Sequence, residues 1–145
     1  MARSTPPARS FASALNRLRA AGLRPTRQRL ALAKTLFDKG PRHVTAEALH
    51  AEALDAQMRV SLATVYNTLH QFVRVGLLRE VMVDPGRSYF DTDVADHHHF
   101  WQPDSARLTD IPPEHVVVSR IPAPPLGTEV GRVDVVVRLR SKKGK

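Results

Sequence analysis

Apolar residues in the first half of the chain recur at the spacing of amphipathic helices. Positions i, i+3, i+4 and i+7 lie on one helix face, and two stripes follow this spacing or part of it. They are Phe11, Ala14, Leu15 and Leu18, and then Leu30, Ala33 and Phe37. Two further runs begin at Thr45 and Ser61, residue types favoured at helix N-caps, as Thr26 is for the second stripe. The pattern predicts four helices, over about 11–22, 26–38, 45–56 and 61–75.

Beyond the fourth predicted helix the pattern becomes typical of β-strands. Two β-rich runs, 77–83 and 88–92, flank the sequence Asp84-Pro85-Gly86-Arg87. Pro-Gly between such runs is typical of a hairpin turn. Short helices followed by a hairpin predict a winged helix-turn-helix domain over residues 1–92, in which residues 1–9 should be disordered.

The second half of the chain predicts a smaller domain over residues 97–145, joined by a hinge at 93–96. Its clearest strand covers 133–140, where apolar and charged residues alternate; shorter strands are expected at 100–101, 106–111 and 116–118. Prolines between 112 and 125 leave little room for a long helix. The predicted fold class is therefore α+β, with an N-terminal winged helix-turn-helix domain followed by a small α/β domain.

Charge and cysteine content narrow the possible functions. The 145 residues carry a formal net charge of +8, which suits a polyanionic partner such as nucleic acid. The absence of cysteine excludes disulfides, cysteine-based structural zinc, iron–sulfur clusters and thiol nucleophiles. No apolar run approaches the roughly 18 residues of a membrane span, and the N-terminus lacks an apolar signal region. We expect a cytoplasmic protein with no membrane partner.

The fourth predicted helix has a polar face suited to reading double-stranded DNA. Asn and Gln pair bidentately with adenine, while Thr, Ala and Tyr pack on the thymine methyl group. Such a helix fits the major groove, with phosphates contacted by basic residues nearby. The predicted DNA-binding residues are Arg24, Thr26, Arg27, Ser61, Ala63, Thr64, Tyr66, Asn67, Gln71, Arg74 and Arg87. The alternative is an ordinary amphipathic helix whose polar face meets water.

Three consecutive histidines, His97, His98 and His99, follow an acidic stretch that includes Asp91. In an extended segment side chains alternate, so His97 and His99 share a face and His98 points the other way. Iron, manganese and zinc all accept imidazole and carboxylate ligands, and haem iron takes an axial histidine. The cluster therefore predicts a site for haem or a divalent metal; the alternative is exposed imidazoles without a ligand.

Four stretches and the histidine run occur together in an informative order. The stretches read AGLRPTRQRL (21–30), RHVTAEAL (42–49), SLATVYNTL (61–69) and GRSYFD (86–91). Over about residues 11–111 the chain resembles the ferric uptake regulator family of bacterial metalloregulators. It lacks the family's usual Cys-x-x-Cys pair after the histidines, and in this it is most similar to the iron response regulator branch. That branch is associated with haem and iron status, although the Cys-Pro haem motif of some members is absent here.

The resemblance implies a homodimer whose second domain is the dimerisation domain. It assigns His43, Asp91, His98 and Asp110 to a sensing metal site that links the two domains. A further histidine of that site falls at Phe100, or at His99 if one residue is skipped. His97 and His99 match a second metal site, completed by Glu114 or His115.

Together these features predict a sequence-specific transcriptional regulator that responds to iron, haem or a related divalent metal. It should bind promoter operators as a dimer and should not be an enzyme. One alternative is an unregulated architectural DNA-binding protein, which would bind duplexes regardless of sequence. Another is a metal-dependent hydrolase that uses the same His and Asp residues, although the chain has no HExxH motif.

Overall fold

The computed structural model describes residues 7–143, with side chains from residue 11 onward. The chain divides into two compact units, Met1–Val94 and Ala95–Lys145. The division falls within the segment 93–96, whose role as a hinge remains a prediction. The first helix takes in residues 7–9, which were expected to be disordered, whereas residues 1–6 lie outside the described range.

Within its described residues, the first unit contains four α-helices. They are α1 (Pro7–Ala20), α2 (Arg27–Phe37), α3 (Ala46–Asp55) and α4 (Leu62–Arg74). The hydroxyl oxygens of Thr26, Thr45 and Ser61 accept hydrogen bonds from the backbone N–H three residues on, at 3.2, 3.1 and 3.0 Å, so the predicted caps are confirmed. None of the described helices combines the length and apolar character that a membrane span requires.

A three-stranded antiparallel sheet supplies the wing. Its strands are β1 (His43–Val44), β2 (Arg79–Asp84) and β3 (Arg87–Asp91), in the order β1-β3-β2. The β2–β3 hairpin turns at Pro85 and Gly86, where Gly86 has a φ of +74°, a conformation that glycine adopts without steric cost. Helices followed by this hairpin confirm the predicted winged helix-turn-helix.

The core of the first unit is formed by the inward faces of its helices and by β3. Each large apolar side chain that is fully buried contributes roughly 1.5–3 kcal/mol relative to exposure. The fully buried apolar residues larger than alanine are Leu18, Leu32, Leu36, Leu49, Val65, Leu69, Phe72 and Phe90. This core fixes α4 through its apolar face and leaves the opposite face available.

Helix α2 buries a broader face than the predicted one, of which Ala33 is fully buried as expected. Leu32 and Leu36 are fully buried, whereas Leu30 and Phe37 are half-buried at the edge of the core. The helix contacts both α1 and α3, so its apolar surface is broader than a single stripe. The Arg17 guanidinium lies 4.4 Å from the centre of the Phe37 ring, which suits a ring at the edge of the core.

The second unit contains a separate three-stranded sheet. Its strands are β4 (His98–Gln102), β5 (Arg107–Ile111) and β6 (Val136–Arg138), in the order β5-β4-β6. Strand β4 pairs antiparallel with β5 and parallel with β6. Short 3₁₀ helices occur at Pro103–Ser105 and Pro113–His115, and the described residues 95–143 contain no α-helix. The central strand carries Trp101, which is fully buried.

The stretch between the second 3₁₀ helix and β6 forms no regular element. The predicted strand at 116–118 is therefore wrong, and Val117 is 80% exposed. The predicted strand 133–140 is reduced to Val136–Arg138, because only this part lies in register with β4. The prediction that the prolines would exclude a long helix is confirmed.

Glu52 on α3 anchors the loop that leads into β1. Its carboxylate accepts a hydrogen bond from Arg42 at 2.5 Å and another from Lys39 at 3.0 Å. Burial alone would raise the pKa of Glu52, but the hydrogen bonds and charges of Arg42 and Lys39 hold it below its ordinary value of 4.5. Because Arg42 immediately precedes His43, this ionic group helps to position a predicted metal ligand.

Replacing Glu52 with glutamine should lower the free energy of unfolding at pH 7 by about 0.5–1 kcal/mol. A pKa that is lowered on folding gives stability that is present above the unfolded-state pKa and is lost as the pH falls through the folded-state pKa. The difference between the two proteins should therefore shrink below about pH 4.5. Urea unfolding at several pH values measures it, with Asp55→Asn on the same helix as control; a constant difference down to pH 3 would contradict the assignment.

Candidate nucleic-acid interface and metal-ligand cluster

The polar face of α4 lies opposite the buried Val65, Leu69 and Phe72, as the sequence predicted. Along this face, exposed residues alternate with half-buried ones. The exposed ones are Ala63, Asn67 and Arg74, and the half-buried ones are Thr64, Tyr66 and Gln71. Leu62, at the start of the helix, is half-buried. The structure thus presents small, amide and basic groups on one surface, which is the set that base edges and phosphates require.

Arg29 ties the start of α2 to this face. Its Nε donates to Gln71 Oε1 at 3.2 Å, and its Nη1 donates to the carbonyl oxygen of Arg24 at 2.9 Å. Gln71 consequently uses its carbonyl oxygen within the protein and keeps its amide N–H groups for another partner. The contact borders a polar groove lined by Arg24, Thr26, Gln28, Arg29, Thr64, Asn67, Thr68 and Gln71.

The other predicted DNA-binding residues lie at the margins of this surface. Arg24 and Arg27 are exposed near the N-terminus of α2, and Arg87 is exposed at the hairpin turn. Thr26 and Ser61 use their hydroxyl oxygens as helix caps, and the Ser61 hydroxyl donates to Thr64 at 2.9 Å. These two hydroxyls already serve the fold, so their predicted role in DNA binding rests on their position.

Glu47 contacts the polar face of α4, which the sequence did not predict. Tyr66 donates its hydroxyl hydrogen to Glu47 Oε2 at 3.0 Å. This hydrogen bond raises the pKa of Tyr66, with smaller effects from burial and from the charges of Glu47 and Glu80. Both residues line a pocket that also includes Gly86, Arg87 and Ser88 at the hairpin turn. From the sequence alone, Glu47 had only the role of an acidic residue in the first turn of a helix.

His43 and Asp91 form one pair of candidate metal ligands in the first unit. They lie directly opposite one another in the β1–β3 pairing, so their side chains share a face of the sheet. Asp91 is 1% exposed, and its Oδ1 accepts a hydrogen bond from the backbone N–H of Asp93 at 2.9 Å. Strand β1 has only two residues, and its pairing with β3 is what brings this pair together.

His97, His99 and Asp110 form a group of candidate ligands in the second unit. The Nε2 atoms of both histidines lie 3.4 Å from Asp110 Oδ1, and the two imidazole centroids are 4.6 Å apart. His97 and His99 are 5% and 2% exposed. Asp110 lies opposite His99 in the β4–β5 register. The shared face of His97 and His99 agrees with the alternation expected of an extended segment.

The tautomer of His97 indicates that this group fits a cation. His97 Nδ1 lies 2.6 Å from the carbonyl oxygen of Ala95, which can only accept, so Nδ1 carries the hydrogen. In the neutral ring, Nε2 then presents a lone pair toward the Asp110 carboxylate. Two acceptors that face each other favour a proton or a metal ion between them, and an Nδ1–H bond to a carbonyl is the usual support of a metal-bound histidine.

His98 does not join this group, and its place in the sensing site stays a prediction. Its side chain points away from His97 and His99, and its Nδ1 accepts a hydrogen bond from the backbone N–H of Val135 at 3.1 Å. That bond uses the Nδ1 lone pair, so in the neutral ring Nε2 carries the hydrogen. His99 faces Asp110, which agrees with the expectation that His99 supplies the further histidine if one residue is skipped. Among the described residues, Glu114 and His115 are not brought into the group.

Comparison with known proteins finds a matching family and similar sequences. A family model described as the ferric uptake regulator family matches residues 20–120. The ferric uptake regulation protein of Shigella flexneri is 37% identical over 82 residues, which are 57% of this chain and 55% of that protein. The protein of the same name from Escherichia coli K12 is 35% identical over 82 residues, with the same shares. This chain thus spans about half the length of the curated relatives it matches.

Solved structures agree with the fold over a longer range. The ferric uptake regulator from Pseudomonas aeruginosa, solved with manganese, has a TM-score of 0.67 at 26% identity, covering 90% of this chain and 98% of that chain. The ferric uptake regulator of Vibrio cholerae has a TM-score of 0.66 at 20% identity, covering 87% and 98%. At that identity the second likeness shows the fold alone.

The fold and the clustered ligands define the class of winged-helix proteins that carry a histidine–carboxylate group in a separate unit. Within that class, the chain belongs to the ferric uptake regulator family. This is a family of regulators and not of enzymes, so membership favours regulation over the metal-dependent hydrolase considered from the sequence.

Proposed function

We propose that this chain is a sequence-specific transcriptional regulator that binds promoter DNA and responds to a divalent metal ion. The observation that carries the proposal is the convergence of His97, His99 and Asp110 in a chain whose α4 presents a DNA-reading face. The net charge of +8 suits a polyanionic partner. The relative from Pseudomonas aeruginosa, solved with manganese, supports a metal as the ligand.

The residues proposed to bind metal are His43 and Asp91 in the first unit and His97, His99 and Asp110 in the second. Imidazole nitrogen and carboxylate oxygen suit Fe²⁺, Mn²⁺ and Zn²⁺. The positive charge of a bound cation would pair with the buried Asp91 carboxylate. The cation would also accept lone pairs from the two buried imidazoles, His97 and His99. Because each imidazole must be unprotonated to bind a metal, affinity should be lower at acidic pH.

Haem is proposed as a second ligand to be tested, following the resemblance to the iron response regulator branch. The predicted haem residues were His97, His98 and His99. His97 and His99 are 5% and 2% exposed, so haem iron could reach them only if the sheet of the second unit opened. His98 uses its Nδ1 within the fold. The geometry therefore supports a small metal ion better than haem.

A homodimer is proposed through the second unit. Several large apolar side chains there are exposed, and exposed apolar surface of this kind is typical of protein–protein contacts. They are Val117, Val118, Ile121, Leu126 and Val130. An operator with two-fold symmetry would then present one half-site to each α4.

Fluorescence anisotropy with a promoter fragment of an iron-transport gene tests the proposal. The chelator-stripped protein is titrated onto the fragment and onto a scrambled duplex, with and without Mn²⁺, Fe²⁺ or haem. We expect affinity for the promoter fragment to change with metal while affinity for the scrambled duplex stays low. An architectural DNA-binding protein would bind both duplexes equally, in every metal state, with only a salt dependence.

Replacing Asn67 with alanine should weaken binding to the promoter fragment by roughly 5- to 160-fold, because a bidentate contact to adenine contributes about 1–3 kcal/mol of discrimination. Binding to the scrambled duplex should change little, since phosphate contacts dominate there. The same anisotropy assay measures both affinities. Asn16→Ala, on an exposed position of α1, is the matched control. An equal loss on both duplexes would count against base reading by Asn67.

A further inference from the structure

A carboxylate at Glu47 is unexpected on a surface that would face DNA. Glu47 is exposed in the first turn of α3 and lies beside Tyr66 of α4 and Arg87 of the hairpin turn, in the pocket that all three line. A negative charge there repels phosphates and lowers affinity for any duplex. Its contact with the Tyr66 hydroxyl, at 3.0 Å, gives it a role that offsets this cost.

We propose that Glu47 fixes the polarity of the Tyr66 hydroxyl, so that Tyr66 meets DNA only as a hydrogen-bond acceptor. This proposal rests on the DNA-binding function proposed above. A tyrosine hydroxyl has one hydrogen to donate and also accepts hydrogen bonds. An ionised carboxylate can only accept, so the hydrogen is committed to Glu47 and the oxygen is left with its lone pairs.

The Tyr66 ring also contacts a second residue, His70, which helps to fix its orientation. The His70 ring lies one helical turn further along α4, with its centroid 6.2 Å from that of Tyr66 and an angle of 30° between the planes. His70 itself packs edge-on against Phe90 at 5.6 Å, and its Nε2 is 3.9 Å from a carboxylate oxygen of Glu80. The ring is therefore held at its face by His70 and at its hydroxyl by Glu47.

The major groove then determines what Tyr66 can read. The hydrogen-bond donors there are the amino groups N6 of adenine and N4 of cytosine, whereas guanine O6 and N7 and thymine O4 are acceptors. A hydroxyl restricted to accepting pairs with the amino groups and opposes the acceptors. The hydroxyl of Tyr66 would thus favour adenine or cytosine over guanine or thymine at the base that it contacts, while the ring can still pack on a neighbouring thymine methyl group.

The test uses the full chain and a duplex selected by it from a random pool in the presence of Mn²⁺. Each adenine in turn is replaced by purine, which lacks the N6 amino group, and each cytosine by pyrimidin-2-one, which lacks the N4 amino group. At one position we expect the loss of the amino group to weaken binding roughly 2- to 13-fold, as for the loss of a single hydrogen bond. The variant Tyr66→Phe should bind the modified and unmodified duplexes equally at that position.

Glu47→Gln separates polarity from packing, because glutamine has nearly the same shape but its amide can also donate to the Tyr66 oxygen. We expect removal of the base amino group at the sensitive position to weaken binding of this variant much less than binding of the parent. Overall affinity for DNA should rise, because a negative charge is removed. Asp55→Asn on the same helix should leave the penalty unchanged. Circular dichroism checks that each variant keeps the helical content of the parent.

Four results would overturn the proposal. A Tyr66→Phe variant that keeps the full penalty excludes Tyr66 as the reader, and a Glu47→Gln variant that keeps it excludes Glu47 as the residue that sets the polarity. A selected sequence without any position sensitive to amino-group removal overturns the inference while leaving DNA binding intact. A pool that yields no preferred sequence overturns sequence-specific binding itself, and this inference with it.

Discussion

Replacing Asp110 with alanine should weaken Mn²⁺ binding by at least about 100-fold, the upper end of what even outer-shell substitutions at metal sites cost. The carboxylate faces the Nε2 atoms of both His97 and His99 at 3.4 Å. Its removal leaves two neutral imidazoles and takes away the negative charge that attracts the cation. Isothermal titration calorimetry of chelator-stripped protein measures the loss.

Asp104→Ala is the control, because Asp104 lies in the same unit and its carboxylate accepts a hydrogen bond from Ser141. Equal metal affinity in the Asp110 and Asp104 variants would contradict the assigned cluster. The same titration, applied to His43→Ala and His99→Ala, distinguishes one shared ion from two separate ones. A shared ion predicts that either substitution removes the same binding event, whereas separate ions predict that each removes a different one.

Replacing Phe72 with alanine should lower the free energy of unfolding by about 3–5 kcal/mol, through lost burial and the cavity left behind. Phe72 is fully buried on α4, within the core of the first unit. Domains are typically stable by about 5–15 kcal/mol, so this single change removes a large part of the total. Urea unfolding followed by circular dichroism at 222 nm, at fixed protein concentration, measures the change in the helices.

Phe11→Ala is the matched control, because the same atoms are removed from a side chain that is 44% exposed. Its cost should stay at about 1 kcal/mol, because the main specific contact that it loses is with the Lys34 ammonium, 5.8 Å from the ring centre, and such exposed contacts contribute about 0.5–1 kcal/mol. A similar loss for both variants would show that α4 is not held by Phe72 in the way that the structure indicates.

Features that depend on neighbouring residues were predicted well from the sequence. The caps at Thr26, Thr45 and Ser61 and the turn around Gly86 depend on side chains and backbone preferences within a few residues. The polar face of α4 followed from helical periodicity in the same way. Features that depend on distant partners were not predicted. Strand β1 has two residues and exists only through its pairing with β3.

The candidate metal cluster shows the same limit. Alternation along an extended strand correctly paired His97 with His99, but no sequence rule shows that the backbone of Val135 occupies His98 Nδ1. The buried face of α2 was predicted too narrow, because contacts with both α1 and α3 add Leu32 and Leu36 to it. The hydrogen bond between Glu47 and Tyr66 spans 19 residues and two helices, and no local pattern indicates it.

The single tryptophan of the chain makes the second unit observable on its own. Trp101 lies two residues after His99 on β4 and has no exposed surface, so its emission should be blue-shifted. Paramagnetic Mn²⁺ or Fe²⁺ held by His99 would quench that emission. The Trp101 emission should therefore report metal binding to the cluster, while the circular dichroism of the helices reports the first unit. The two signals offer separate views of ligand uptake and of its effect elsewhere in the molecule.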